Sequence, residues 1–289
     1  MKSKKKIIII VVAILLVVGV LLAIPKSTYE SWFSKDKVIN NDANSDDVLT
    51  KLVYLQNSEG KLVGVNVKVE SIEDDEILQK WNLLTANRNL LPEGYTSVIN
   101  EGAVLNSYEI KEQVLVLDVS PEIKLSSGRK AIETIAWTFI NEEIKEIELV
   151  VNGEKVTEIE GYRINKINKK MGINLEYETS YLLESTATTI VYSEGDLLLP
   201  VTYFHLEEDI CTYIVDKTFE KFVDQTLQYE YELNKEALVI NVLDDTNLSA
   251  EALETLTLSV EANFDLVKFA INNVNENLYE AVFGEIEEE

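Results

Sequence analysis

The strongest constraint on the fold is that this chain writes one unit twice. Tyr108–Val119 (YEIKEQVLVLDV) matches Tyr231–Val242 (YELNKEALVINV) without a gap, and Ala131–Ile135 (AIETI) matches Ala252–Leu256 (ALETL). Upstream, Val53-Tyr54 with Glu59-Gly60-Lys61-Leu62 corresponds to Val191-Tyr192 with Glu194-Gly195-Asp196-Leu197. Downstream, Ile147–Asn152 corresponds to Val267–Asn272. Four blocks in one order point to two homologous domains, so any fold proposed for one half must also suit the other.

Hydrophobic periodicity supplies the elements. Leu52–Leu55 and Leu62–Val69 alternate apolar and polar residues around Glu59-Gly60, which predicts a hairpin or a bent strand. Ser71, three residues before Asp74, is the expected cap of a helix carrying Ile77, Leu78, Trp81 and Leu84 on one face. Leu90-Leu91-Pro92-Glu93-Gly94 ends that helix, and strands follow at Val104–Ile110 and Val114–Val119. After Ser126-Ser127-Gly128, the residues Ile132, Ile135, Ala136, Phe139 and Ile140 form a core-facing helical stripe. Ile147–Val151 closes the unit as a strand. The expected fold is α+β, two tandem β-α-β-β-α-β domains behind an N-terminal transmembrane helix. The second copy repeats the pattern but is about 15 residues shorter between its matched tyrosines, and it lacks the proline–glycine segment.

That transmembrane helix is expected at Ile7–Ile24, an unbroken apolar run between Lys2, Lys4, Lys5, Lys6 and Pro25. Its length suffices to cross a bilayer, and the flank Leu22-Ala23-Ile24-Pro25-Lys26 offers no small-x-small cleavage site. The lysines orient the N-terminus inside, and Tyr29, Trp32 and Phe33 suit the membrane interface. The expected layout is lysines and anchor over residues 1–25 and a flexible tether over 26–47. A first domain follows over 48–160, then a linker with a hairpin over 161–185. A second, degenerate domain spans 186–283, and an acidic tail 284–289. The bulk of the chain is thus placed outside a cell membrane, in a single-pass arrangement.

All 51 acidic residues follow the apolar run, and the net charge is −25. Such a surface repels phosphate backbones, which argues against a nucleic-acid partner. Cys211 is the only cysteine, so the exterior contains no internal disulfide and must be held by packing.

Several of these segments resemble the GerMN domain of bacterial sporulation and spore germination proteins. The resemblance rests on Val53-Tyr54…Gly60-Lys61-Leu62, Leu91-Pro92-Glu93-Gly94-Tyr95-Thr96, Val114–Pro121, Thr134…Thr138-Phe139 and Ile147…Asn152-Gly153. It covers roughly Val48–Glu160 and Thr186–Tyr279, and implies a non-enzymatic envelope protein with tandem GerMN domains. The implied partners are envelope or sporulation-assembly proteins, with peptidoglycan as a second candidate.

The residues themselves offer no complete catalytic set. His205 is the sole histidine, Cys211 lies six positions on, and no Gly-x-Ser-x-Gly elbow, phosphate loop, dinucleotide fingerprint or calcium loop occurs. One His and one Cys do not make a zinc site. No catalytic residue, metal ligand or cofactor is therefore assigned. The acidic clusters Glu73–Glu76 and Glu207–Asp209 fall at predicted helix starts, and Asp244-Asp245 in the turn before the last helix; capping accounts for all three. Trp81 and Trp137 lie on or beside apolar stripes and are assigned to the core. The candidate binding loop is Pro92, Glu93, Gly94, Tyr95 and Thr96, with Tyr95 read as exposed, because only the first copy retains it. The expectation is a membrane-anchored scaffold. The alternative is a peptidoglycan-binding protein, or a peptidoglycan-processing one using carboxylates such as Glu93 or Asp118.

Overall fold

The computed structural model describes residues 49–69, 75–223, 227–274 and 277–283. The expected anchor at 7–24, the tether and the acidic tail lie outside them, as does Ser71. Among the described residues no helix is long and apolar enough to cross a membrane. Val48–Glu289 forms one compact unit.

The architecture is α+β. The first copy begins with the hairpin β1 (Thr50–Gln56) and β2 (Leu62–Lys68), then helix α1 (Glu76–Leu84). Next come β3 (Leu105–Lys111), β4 (Val114–Val119), helix α2 (Gly128–Phe139), β5 (Glu146–Val151) and β6 (Glu154–Lys155). A second hairpin, β7 (Glu158–Ile159) and β8 (Tyr162–Arg163), and the short β9 (Glu176–Tyr177) connect the copies. The second copy contains β10 (Thr186–Glu194), β11 (Leu197–His205), α3 (Ile210–Phe222), β12 (Tyr229–Leu233) and β13 (Ala237–Thr246). It closes with α4 (Ala250–Asn263), β14 (Lys268–Val274) and β15 (Asn277–Val282).

Each copy owns a four-stranded sheet, β3-β4-β5-β6 or β12-β13-β14-β15. In both, the middle pair is parallel and joined through a crossover helix, and the outer pairs are antiparallel. On α2 the stripe Ile132, Ile135, Ala136 and Phe139 is buried, each large apolar side chain contributing about 1.5–3 kcal/mol. Trp81 and Trp137 join that core: the Trp81 indole N–H donates to the Ala103 carbonyl at 3.0 Å, and Trp137 meets Tyr54 edge to face.

The first helix of each copy starts by one rule. Asp75 caps α1 by accepting from the Leu78 N–H, and Asp209 caps α3 by accepting from Thr212 N–H, both at 2.9 Å. The matched tyrosine of the second copy reaches back to its cap, Tyr231 donating to Asp209, and in the first copy burial and then the Asp75 carboxylate raise the pKa of the matched Tyr108. The cap of α1 is thus Asp75. The Asp244-Asp245 pair also departs from expectation. It lies inside β13, and α4 is capped by Ser249, whose hydroxyl accepts from the Ala252 N–H at 3.1 Å. A serine with extended backbone suits that cap better than the end of a strand.

The two copies share a sheet. β1-β2-β11-β10, with β9 beside β11, makes five strands drawn from both repeats and the segment between them. The seam between β2 and β11 is a single register pair, Gly64 with Leu198. A side chain at Gly64 would sit 3.1 Å from the Tyr54 ring and 3.2 Å from Leu198 Cβ, so glycine permits the close approach. Asn174 then stitches the seam. Its Oδ1 accepts from the Leu62 N–H at 2.8 Å, and its Nδ2 donates to the carbonyls of Leu62 at 2.7 Å and Pro200 at 2.8 Å. One amide therefore serves both copies. Asn174 has φ +46°, a left-handed conformation that asparagine tolerates better than most residues. Its own N–H approaches the Glu133 carboxylate on α2, which also pairs with Arg129 at 2.6 Å.

Two outcomes follow from this seam. Asn174→Gly keeps the backbone conformation but strips the side-chain hydrogen bonds, and should destabilise by about 2–4 kcal/mol in urea titration. A neutral variant would show that the bonds contribute nothing. Burial pushes the Glu133 carboxyl above its ordinary 4.5, against the opposing pull of Arg129. A raised folded pKa means that this group's contribution is complete below the unfolded value and is lost as pH rises through the folded one. The stability difference between the native protein and Glu133→Gln should therefore shift in favour of the variant as pH rises from 4 to 7, read from paired melting curves.

Candidate interaction surfaces

The segment Pro92–Thr96 forms a tight turn that holds the edge of the shared sheet. The Tyr95 N–H donates to the Pro92 carbonyl at 3.2 Å, and Gly94 takes φ +88°. Thr96 exchanges two backbone hydrogen bonds with Gln56 at the end of β1, at 2.8 and 2.9 Å. Tyr95 is half-buried against the first core rather than exposed, because the turn folds it inward beneath the β1 edge. Glu93 and Gly94 form the exposed tip.

The second copy shows what replaces this turn. Along β10, the N–H groups of Thr189, Val191 and Ser193 donate to Asn263, Ser259 and Thr255 at 2.9, 2.9 and 3.0 Å. These three acceptors stand four residues apart on α4, one stripe of a helix laid along a sheet edge. In the first copy the Tyr54 N–H donates to Thr138, the counterpart of Ser259, at 3.1 Å. Tyr54 therefore corresponds structurally to Val191, one residue away from the Tyr192 suggested by sequence. The loops differ in length, with β1–β2 closing over Asn57–Lys61 and β10–β11 over Gly195-Asp196, and this shifts the register. Thr134, the counterpart of Thr255, has a buried hydroxyl without a partner, since the Gln56 N–H goes to Thr96 instead.

The carboxylates weighed for hydrolysis do not converge by any hydrogen bond. Glu93 sits at the exposed turn tip, while Asp118 is half-buried in β4 opposite Ser107 and Val150, with one carboxylate oxygen buried and unpartnered. His205 Nε2 lies 2.8 Å from the Thr188 hydroxyl, and its ring stacks on Tyr213 at 3.5 Å; burial lowers its pKa. Cys211 is buried in α3, and burial, followed by the charge of Asp209, pushes its thiol up to about 12. Such a thiol stays protonated at neutral pH. Among the described residues no group of three or more His, Cys, Asp or Glu side chains is placed to hold a metal ion.

A different surface stands out around the end of β11. β9 pairs with this strand on one side through Phe204 and Tyr177, and β10 pairs on the other through His205 and Thr186. The intervening residues 178–185 therefore cross over the strand end. They carry Tyr181, Leu182 and Leu183 into solvent beside the exposed Tyr177 and Leu206; Leu183 is fully exposed and Tyr181 65% so. Tyr177 stacks on Phe204 with centroids 5.1 Å apart. Beneath the patch, Glu178 is held by the Tyr213 hydroxyl and the Lys217 ammonium, each at 2.8 Å. The apolar crown thus stands on a fixed polar base, and the exposed Glu184, Glu207 and Glu208 adjoin its residues in the chain. Sequence reasoning placed this segment in the linker; its signal was the apolar triplet at 181–183, unusual in a connection.

Residues 52–157 match the family model described as Germane, sporulation and spore germination. No curated protein matches the chain. The tandem GerMN domains of the sporulation protein GerM from Bacillus subtilis have a similar structure over 79% of this chain and 92% of that one, with 20% identity and a TM-score of 0.68. This likeness shows the fold. The first GerMN domain of that protein aligns over 43% of this chain and 99% of its own, at 21% identity and a TM-score of 0.39. A putative lipoprotein from Clostridium perfringens aligns over 45% and 94%, at 17% identity and a TM-score of 0.26.

The edge-holding account of the turn has a direct test. Thr96→Pro removes the N–H that serves Gln56 and should cost about 1–3 kcal/mol of stability by chemical denaturation. Glu93→Ala, at the exposed tip, should stay within about 0.5 kcal/mol of the parent.

Proposed function

We propose that this chain, whose residues 52–157 match the family model for sporulation and spore germination, is a membrane-anchored extracytoplasmic scaffold acting through protein–protein contact. The observation that carries this reading is the exposed crown of Tyr177, Tyr181, Leu182, Leu183 and Leu206. Contiguous exposed apolar side chains are uncommon on a solitary soluble surface and usually mark a contact site. Here they sit on a segment already ordered by β9, β10 and the Glu178 contacts, so binding would spend little entropy on arranging them. The exposed glutamates that adjoin the crown in the chain favour a protein segment that combines apolar anchors with Lys or Arg, and disfavour an anionic lipid surface. The match of residues 52–157 to that family model supports a setting in sporulation or the cell envelope. The apolar run at 7–24 supports tethering to a membrane, with the acidic bulk outside.

A photo-crosslinking residue at position 183 should trap a discrete envelope protein in cells producing the chain, while one at the exposed Leu90 should not. The double change Leu182→Glu with Leu183→Glu should abolish an adduct formed from position 177, yet shift stability by less than about 0.5 kcal/mol. Absence of any adduct at the crown, or equal adducts at Leu90, would remove the support for this surface.

A further inference from the structure

In a chain of net charge −25, the stretch 161–175 contains no acidic residue and carries Arg163, Lys166, Lys169 and Lys170. The fold gathers part of this charge around a cleft of about 180 Å³, lined by Ile132, Tyr162, Arg163, Asn165, Lys166 and Met171. Arg129 of α2 adds a fifth cation, its guanidinium 5.6 Å from the centre of the Tyr162 ring. It is held there by Glu133 and by the Met171 carbonyl, each at 2.6 Å. From these residues we infer that the cleft between α2 and the 162–171 segment binds a compact phosphate group.

The local carboxylates define what kind of anion fits. Glu133 is committed to Arg129 and the Asn174 N–H. Glu146 holds Lys166 at 2.9 Å, in an ion pair whose lysine is largely exposed. Glu158 is the strand partner of Arg163. A monoanionic carboxylate from another molecule would compete with glutamates that are already adjacent, and would gain little. A phosphate dianion offers twice the charge and several oxygens, enough to draw Lys166 from Glu146 and to engage Arg163 with it, while Lys170, next in the chain to the lining Met171, adds charge nearby. The acidic surface beyond the cleft repels an extended polyanion, while screening confines that repulsion to about 8 Å at physiological salt. A single phosphate on a soluble molecule or on a lipid headgroup meets both conditions. The site is separate from the apolar crown and stands whether or not the crown docks a protein.

The test is lysine acetylation of the full chain in neutral detergent, mapped residue by residue, with and without pyrophosphate. Pyrophosphate should at least halve acetylation at Lys166 and Lys170 and leave the exposed Lys111 unchanged. Arg163→Gln with Lys170→Gln should abolish the protection at Lys166. In a second arm, vesicles of neutral lipid with phosphatidic acid replace pyrophosphate. Protection by pyrophosphate alone identifies a soluble source, and protection by the vesicles alone a headgroup. No protection in either arm, protection by succinate equal to that by pyrophosphate, or protection retained by the double variant would overturn the inference.

Discussion

The carboxamide of Asn174 is an unusual place for a fold to depend on. β2 and β11 meet at one register pair. Outside that pair, the Leu62 N–H and the Leu62 and Pro200 carbonyls have a side chain as partner. An unpaired buried backbone group costs about 1–3 kcal/mol, so three such groups left unpaired would make a weak seam. Asn174 supplies one acceptor and two donor contacts in the geometry of a missing strand residue. Gly64 complements it by letting the two strands approach at the crossing. The rest of the junction, including Lys61 with Glu176 and the Ile173–Thr202 hydrogen bonds, assembles around these two positions.

Duplication leaves the two copies with the same edge problem and different solutions. A strand at the margin of a sheet exposes backbone groups that invite uncontrolled pairing. The second copy covers β10 with the Thr255, Ser259 and Asn263 stripe of α4. The first copy has only Thr138 in that role, and uses the Pro92–Thr96 turn for the remaining position. The extra residues of the first copy thus have a structural purpose that the second copy meets through Thr255. The polar residues at 255, 259 and 263 also explain why α4 is less apolar on one side than a buried helix would be.

Much of this was legible in the sequence, for local reasons. The matched blocks located three strands of each four-stranded sheet, and the stripe at Ile132–Ile140 with its matched block Ala252–Leu256 located their helices, because period and face burial are short-range signals. Cap chemistry was less secure: Asp75 rather than Ser71 caps α1, and Asp244-Asp245 extends a strand. Tyr95 looked exposed because a turn sequence does not reveal what lies beneath it. The seam was not legible. Asn174 lies in a stretch without periodicity, and its three partners are 112 and 26 residues away. The crown and the basic cleft left compositional traces, at 181–183 and 161–175, but only the pairing of β9 and β10 with β11 brings the crown residues to one place.

The central claim is that the shared sheet makes two homologous copies into one cooperative body. Trp81 and Trp137 are buried in the first core and Cys211 in the second, so the portion Val48–Glu289 carries a separate probe for each copy. Urea unfolding followed by tryptophan fluorescence and by pulsed thiol labelling of Cys211 should give coincident midpoints. Two resolved transitions, with Cys211 exposed while the tryptophans remain buried or the reverse, would contradict it.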